Sequence, residues 1–153
     1  MKDKNISARF VNEEDSMDIF TWRNDETSRA NFFSNNKISF EDHSNWFKEK
    51  LNSKDSFLIL LEIEGEGEKV GVVRYDEVNE IYEVSININP KFRGKGLGHI
   101  CLLEAEKILK IKNIFLSAKV LKENAASHRI FIKANYYLFK KKKSLTEYRK
   151  KII

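Results

Sequence analysis

Residues 90–99 form a basic, glycine-rich turn whose residue types suit the binding of a pyrophosphate group. Glycines let an anion approach backbone N–H groups without meeting a Cβ atom, and cationic side chains add charge that would hold a diphosphate. The spacing fits neither a P-loop nor the dinucleotide-binding fingerprint, and the pattern is Arg-x-x-Gly-x-Gly. We call residues 93–98 the glycine turn; its members are Arg93, Gly94, Lys95, Gly96, Leu97 and Gly98.

The segments on either side predict where the glycine turn lies. Residues 81–89 largely alternate apolar and polar side chains, which predicts a strand that ends at Pro90. Leu97, Cys101 and Ala105 then recur at helical spacing. The first turn of a helix has backbone N–H groups without intrahelical partners and carries the positive end of the helix dipole. The glycine turn is therefore predicted to lie at a strand-to-helix junction that can bind an anion.

The Arg-x-x-Gly-x-Gly pattern resembles the acetyl-CoA-binding motif of the GNAT superfamily of N-acetyltransferases. The resemblance implies that backbone N–H groups of the glycine turn hold the pyrophosphate of the cofactor acetyl-CoA. It also implies that the preceding strand presents backbone groups to pantetheine around Ser85, Ile86 and Ile88. A glycine turn that merely reverses the chain is the alternative.

A second stretch resembles the same family, because Asn124 and Ser127 lead from a strand into a helix that continues to Phe131. The resemblance implies that Asn124 contacts the pantetheine arm and that Ser127 lines the CoA channel; an ordinary helix N-cap at Asn124 is compatible with both. Many relatives have tyrosine where Phe131 stands, and that tyrosine protonates the leaving thiolate. Phenylalanine has no proton to give. Ser127, Tyr136 and Tyr137 are alternative donors, each with a structural reading as a channel wall or strand residue.

Two residues are candidates for the base that removes a proton from the acceptor amine. Glu83 is the first choice, because it lies on the strand that would bind pantetheine; a solvent-facing carboxylate is the alternative. His43 is the second, with plain packing as its alternative. Cys101 projects from an apolar helical position, which indicates a buried side chain rather than a nucleophile.

The segments 20–25, 39–43 and 46–47 resemble elements of family members that acetylate the 4-amino group of UDP-linked amino-deoxysugars in pseudaminic-acid-type pathways. The resemblance implies that Arg23 meets an anionic part of the substrate, that Trp22 stacks or packs, and that His43 faces the acceptor. The alternative places Trp22 in the core and lets Arg23 finish a helix. Acetylation of a protein N-terminus or another small amine is a second possible activity.

Length and charge limit the number of domains and the classes of ligand. A chain of 153 residues fits a single domain, residues 1–153. A formal charge of +5 favours anionic ligands such as CoA or a nucleotide sugar, and it leaves a non-catalytic anion-binding or nucleic-acid-binding module as the rival class. The lysine run 140–143 is expected to be a solvated turn, without the interleaved aromatics that nucleic-acid binding requires. A homo-oligomer is possible.

The single cysteine excludes an internal disulfide and a cysteine-rich metal site, and no metal is expected. No apolar run is long enough to span a bilayer, and the first five residues lack an apolar signal core. These features predict a cytoplasmic protein.

The order of periodic segments predicts a mixed α/β fold of the GNAT type: a mostly antiparallel central sheet with one parallel, splayed strand pair and flanking helices. Strands are expected near residues 6–11, 57–63, 70–75, 81–89, 114–121, 136–140 and 145–152. The first helix is expected to bury two stripes, Met17 with Phe20 and Ile19 with Trp22. A second helix, with Ser39 as N-cap, is expected to bury Phe40 and Phe47, with His43 at the edge.

Overall fold

The computed structural model of the protein describes residues 5–31 and 36–153. Residues 1–4, which belong to the segment considered above as a targeting signal, lie outside the described residues. The described strands are β1 (Ile6–Phe10), β2 (Ser56–Ile63), β3 (Lys69–Val78), β4 (Ile81–Ile88), β5 (Ile114–Leu121), β6 (Tyr137–Lys141) and β7 (Leu145–Ile152). The described helices are α1 (Ser16–Asn24), α2 (Glu26–Ala30), α3 (Phe40–Asn52), α4 (Gly98–Ile108) and α5 (Ala125–Lys133), with 3-10 turns at Glu13–Asp15 and Pro90–Phe92.

The seven strands form one sheet in the order β1-β2-β3-β4-β5-β7-β6. Strands β1 to β4 are an antiparallel meander, and β4 with β5 is the parallel pair. That pair is short, because only Tyr82 with Leu116 and Glu83 with Ser117 are in register before the strands diverge. From residue 84 onward the β5-facing edge of β4 therefore has no ladder partner among the described residues, and its backbone groups can bind another extended molecule. The predicted fold class is confirmed.

Alternation along the strands gives the sheet two apolar faces, one under each set of helices. Ile59, Leu61 and Val73 belong to the larger core, together with Cys101 and Ala105 of α4. Burial raises the pKa of the Cys101 thiol to about 12, which confirms that this residue is a packing side chain.

The opposite face carries a smaller core beneath α1 and α3, where Leu58, Leu60 and Val72 meet Trp22 and Phe47.

Two predictions about helix faces are wrong. Met17 is 55% exposed, so α1 buries only the stripe of Ile19 and Trp22; a nine-residue helix lying on one sheet face can turn only one stripe toward it. Phe40 is half exposed at the first position of α3, while His43 is fully buried. The prediction that Ser39 caps α3 is confirmed, since its hydroxyl accepts the Asp42 N–H at 3.1 Å.

Lysines 140–143 are exposed at the end of β6 and in the turn that follows, as predicted for a solvated turn. Among the helices of residues 5–31 and 36–153, none is both long enough and apolar enough to cross a membrane.

A buried carboxylate fixes the chain between β1 and α1. Asp15 is 1% exposed and bonds to Arg9 at 2.8 Å, to Lys69 at 2.9 Å and to the Asn12 N–H at 2.9 Å. Burial alone would raise its pKa, but hydrogen bonds from Arg9, Asn12 and Lys69 outweigh that effect and lower the pKa to about 2.

Asp15→Asn is therefore expected to reduce the free energy of unfolding by about 2 kcal/mol near neutral pH. Because the folded-state pKa lies below the usual 3.8, this stabilisation is present above about pH 4 and is lost as the pH falls toward 2. Urea unfolding of both proteins at about pH 7 and about pH 3 measures it. The difference between them should shrink at the lower pH, and a constant difference would contradict the assignment.

Candidate functional site

The divergence of β4 from β5 opens a cleft with a volume of about 960 Å³. One wall consists of residues 84–88, the glycine turn and the start of α5, and the other comes from α1, α2 and the start of α3. The structure brings nearly all the predicted cofactor-binding residues together here. Those that line the cleft are Ser85, Ile86, Ile88, Arg93, Gly94, Gly96, Leu97, Gly98, Asn124 and Ser127. Lys95 is exposed beside the cleft, with Nζ 5.4 Å from the centre of the Phe92 ring.

The glycine turn has the backbone geometry of an anion site. Gly94 and Gly96 have φ values of +74° and +71°, and the chain enters α4 at Gly98. No acceptor in the described residues takes the N–H groups of residues 94–98. An added Cβ at Gly94 or Gly96 would meet no described heavy atom within 4 Å, so the space above the turn is open. Successive free N–H groups around left-handed residues form a concave nest, which fits a pyrophosphate.

Gly98 has a different role from the other glycines of the turn. A Cβ there would lie 2.5 Å from Cδ1 of Ile130 on α5. The absence of a side chain therefore lets α4 and α5 pack closely, while the Gly98 backbone still contributes the first N–H of α4. Its place in the sequence motif thus reflects helix packing as well as phosphate binding.

Asn124 and Ser127 fix each other at the start of α5. The Asn124 side chain accepts the Ser127 N–H at 3.2 Å and donates to Ser127 Oγ at 2.9 Å. Of the three alternative proton donors, only Ser127 lines the cleft. Tyr136 is 4% exposed beneath it, with its ring 5.0 Å from that of Phe131, and Tyr137 lies on the exposed strand β6. Neither tyrosine lines the cleft, and the identity of the proton donor stays a prediction.

Two arginines and a tryptophan form the opposite end of the cleft. The Arg23 guanidinium lies 3.9 Å above the Trp46 ring, and Arg74 lies 5.6 Å from the same ring. All three side chains line the cleft. Burial, and then the charge of Arg74, lowers the pKa of Arg23 to about 10. We call these three residues the arginine end of the cleft.

Sequence reasoning missed Trp46 and Arg74. Trp46 follows His43 by three positions on α3, which places the two on neighbouring parts of one helix face. Arg74 is the polar residue that interrupts an apolar strand on the side facing α3, as its pairing with Leu58 shows. Neither sequence feature identifies a residue of the cleft unless the contact between α3 and β3 is known.

His43 is hydrogen-bonded to Arg23 and does not line the cleft. Its Nε2 donates to the Ser16 carbonyl at 3.0 Å, and its Nδ1 accepts from Arg23 at 3.0 Å. A carbonyl can only accept and a guanidinium can only donate, so the ring is the neutral tautomer with its proton on Nε2. Burial, and then the charge of Arg23, lowers the pKa of His43 further. With both nitrogens occupied and no place in the cleft lining, His43 is corrected from a base to a positioning residue.

Trp22 and Glu83 are also placed differently from their predicted roles. Trp22 is 4% exposed in the smaller core, so its alternative as a core residue is correct and Trp46 is the ring at the cleft. Glu83 lies where β4 and β5 are still paired and does not line the cleft. Its carboxylate is bound to Nζ of Lys119 at 2.8 Å, and Lys119 does reach the cleft. The catalytic role of Glu83 stays a prediction.

The chain matches the family model "Acetyltransferase (GNAT) family" over residues 16–136. A comparison with curated proteins finds no match. Three solved structures show the same fold. Spermidine N-acetyltransferase from Vibrio cholerae, in complex with CoA and spermine, has a TM-score of 0.78 and 17% identity over 95% of this chain and 93% of its own. A domain from Methanocaldococcus jannaschii has a TM-score of 0.77 and 22% identity, over 97% and 99%. Campylobacter jejuni N-acetyltransferase PseH, in complex with acetyl coenzyme A, has a TM-score of 0.70 and 19% identity, over 95% and 98%.

The family match covers most of the chain and includes the glycine turn, the diverging strands and the start of α5 that together line the cleft. The chain therefore belongs to the GNAT family of acetyltransferases, enzymes that transfer the acetyl group of acetyl-CoA to an amine.

Proposed function

We propose that the acceptor is a small molecule that carries its primary amine close to a strongly anionic group, and that a UDP-linked 4-amino-deoxysugar is this molecule. The observation that carries the proposal is the arginine end of the cleft, where Arg23 lies 3.9 Å and Arg74 5.6 Å from the centre of the Trp46 ring. Planar guanidinium groups bind phosphate oxygens through paired N–H bonds, and the Trp46 ring holds the Arg23 guanidinium in place.

Arg23 is suited to a ligand anion because no carboxylate in the described residues pairs with it. Its recorded contacts are Nδ1 of His43 and the face of Trp46, which leave other N–H donors for the cleft. A partly buried cation without a counter-charge is unfavourable, and binding an anion there would relieve that penalty. Arg74 differs, since it already bonds to Asp76 at 2.9 Å and would provide a second, partly neutralised donor.

The positive charges that line the cleft would also favour the deprotonated, reactive form of the acceptor amine. Acetyl-CoA supplies the acetyl thioester, and an amine can attack it only after losing its proton. Nearby cations disfavour an ammonium ion, so Arg23, Arg74 and Lys119 would lower the pKa of an amine held between them. Asp42 also lines the cleft and Glu83 lies next to Lys119; either carboxylate could accept the released proton. This arrangement needs no metal and no covalent intermediate on the protein.

The charge of the cleft lining bears on the choice between a polyamine acceptor and an anionic acceptor. The spermidine enzyme was crystallised with spermine, a polycation, whereas PseH was crystallised with acetyl coenzyme A. In this chain the lining of the cleft contains Arg23, Arg74 and Lys119 near one end, so a polycation would meet repulsion there. The charge of the lining thus favours an anionic acceptor over a polyamine.

An acceptor panel tests the proposal. We expect faster CoA release with a UDP-linked 4-amino-4,6-dideoxysugar than with spermidine or with a peptide bearing a free N-terminus, each at the same concentration with acetyl-CoA. A thiol reagent measures the CoA released. The free 4-amino sugar without UDP is the matched control, and it should be a much poorer acceptor because it cannot bind the arginines. Preference for spermidine, or equal rates with and without UDP, would contradict the proposal.

A further inference from the structure

The guanidinium of the Arg-x-x-Gly-x-Gly pattern is bonded to protein side chains, although Arg93 also lines the cleft. Arg93 Nη1 is bound to the carboxylate of Asp25, and Nη2 donates to Oγ of Ser28 and, at 3.4 Å, to Oδ1 of Asn87. These partners lie on α2 and β4, and Asp25 and Ser28 precede Arg93 by 68 and 65 residues. The Arg93 side chain therefore joins the glycine turn to α2, which is distant in sequence.

Asp25 has two functions at once in this cluster. It is the N-cap of α2, because its side chain accepts the Ser28 N–H at 3.2 Å. Its bond with Arg93 holds the pKa of Asp25 below the usual value, so the carboxylate is ionised at neutral pH. One side chain thus closes the first turn of α2 and holds the arginine.

Ser28 and Asn87 complete the cluster with consistent hydrogen-bond directions. Ser28 is 4% exposed; its hydroxyl accepts from Arg93 and donates to Asn87 Oδ1 at 2.9 Å. Asn87 lines the cleft from β4, in the part of the strand that has left β5. The four residues Asp25, Ser28, Asn87 and Arg93, which we call the arginine clamp, therefore tie α2 and β4 to the first residue of the glycine turn.

The clamp acts at the point where the backbone turns into the anion nest. Arg93 is extended, with φ −69° and ψ 150°, and Gly94 follows at φ +74°. Fixing the Arg93 side chain limits the directions in which the next N–H groups can point. Preorganised donors bind an anion more tightly, because less conformational entropy is lost when the anion arrives.

We propose that Asp25 and Ser28 are positioning residues for acetyl-CoA, which act through Arg93 to preorganise the glycine turn. The proposal concerns the cofactor alone and holds whichever amine is the acceptor. It differs from direct binding of the pyrophosphate by the Arg93 guanidinium, because the two ideas predict opposite effects of removing the Asp25 charge. Direct binding would be unaffected or strengthened when Asp25 no longer competes for the arginine, whereas the clamp would weaken.

The test is calorimetric titration of Asp25→Asn with CoA. Asparagine can still cap α2, so this variant removes the ion pair and leaves the helix start intact. We expect CoA to bind about tenfold more weakly, since a charge-assisted hydrogen bond that holds the turn is lost. Glu26→Gln is the matched control, because it removes an exposed carboxylate from the next residue and should leave CoA affinity unchanged.

Two further variants separate the clamp from a general loss of structure. Ser28→Ala should weaken CoA binding in the same direction by a smaller factor. The double variant of Asp25→Asn with Arg93→Gln should bind no more weakly than Arg93→Gln alone, because both changes break one interaction. Thermal unfolding without CoA checks that each variant is folded. CoA binding by Asp25→Asn as tight as that of the unaltered protein, or tighter, or an equal loss in Glu26→Gln, would overturn the proposal.

Discussion

Gly96→Glu is expected to abolish detectable binding of acetyl-CoA in calorimetric titration. A side chain at residue 96 would enter the space above the glycine turn, which no described atom occupies within 4 Å of the added Cβ. Its carboxylate would then lie beside the pyrophosphate. Two like charges about 4 Å apart repel by about 1 kcal/mol in water and about 4 kcal/mol near a protein surface, so affinity should fall by about 100-fold or more.

Gly67→Glu is the matched control for this substitution. Gly67 has the same φ of +71° as Gly96, and a Cβ there also meets no described atom within 4 Å. The left-handed backbone strain and the added charge are therefore equal, but residue 67 lies in the turn between β2 and β3, away from the cleft. Gly67→Glu should bind acetyl-CoA normally. Equal losses in the two variants would show that the effect is strain or net charge and not obstruction of the anion site.

Arg74→Gln should lower kcat/KM for an anionic acceptor by about 10- to 100-fold, because hydrogen bonds to charged groups contribute about 1.5 to 3 kcal/mol. The affinity for acetyl-CoA should change little, since Arg74 lies on β3, outside the glycine turn that would hold the pyrophosphate. Steady-state kinetics with a UDP-linked amino sugar, together with calorimetry of CoA binding, measures the two effects separately.

Arg149→Gln provides the comparison for Arg74. Arg149 also pairs with a nearby carboxylate, Glu147 at 2.7 Å, and lies 3.6 Å above an aromatic ring, that of Phe139, but it does not line the cleft. Its loss should leave acceptor kinetics unchanged. The contrary result for Arg74→Gln is an equal loss of kcat/KM for an amine that carries no anionic group. Arg74 would then act on the fold or on catalysis in general, and its role in binding an anion would be wrong.

The cofactor side of the site could be predicted because its signals are local. Glycines and cations occur together in six consecutive residues, and the conformation that they adopt depends on the strand and helix directly beside them. A helix that begins at Asn124 and continues past Ser127 to Phe131 was predicted, and α5 spans Ala125–Lys133 with Asn124 as its N-cap.

The acceptor side could not be predicted to the same extent, because it depends on contacts between distant elements. Trp22 and Trp46 are both aromatic residues on helices that pack on the same face of the sheet, and the rotation of each helix on the sheet decides which ring is buried. For Glu83, the predicted strand was right, but sequence alone does not show that β4 and β5 remain paired at that residue. The partner of Arg93 was unpredictable for the same reason, since Asp25 is 68 residues away.

The short pairing of β4 with β5 has a thermodynamic consequence. The sheet consists of two blocks, β1 to β4 and β5 to β7, and within the described residues the strand ladder between them has two registered residue pairs. The ion pair of Glu83 with Lys119, the packing of α4 on α5 and the ion pair of Lys150 with Glu106 also connect the blocks. A ligand whose amide groups bond to the free edge of β4 while it contacts Asn124 and Ser127 connects both blocks. Binding then adds its free energy to the cohesion between them, so the temperature at which the blocks separate rises with ligand concentration. A cofactor bound in this way would help to hold together the fold that positions it.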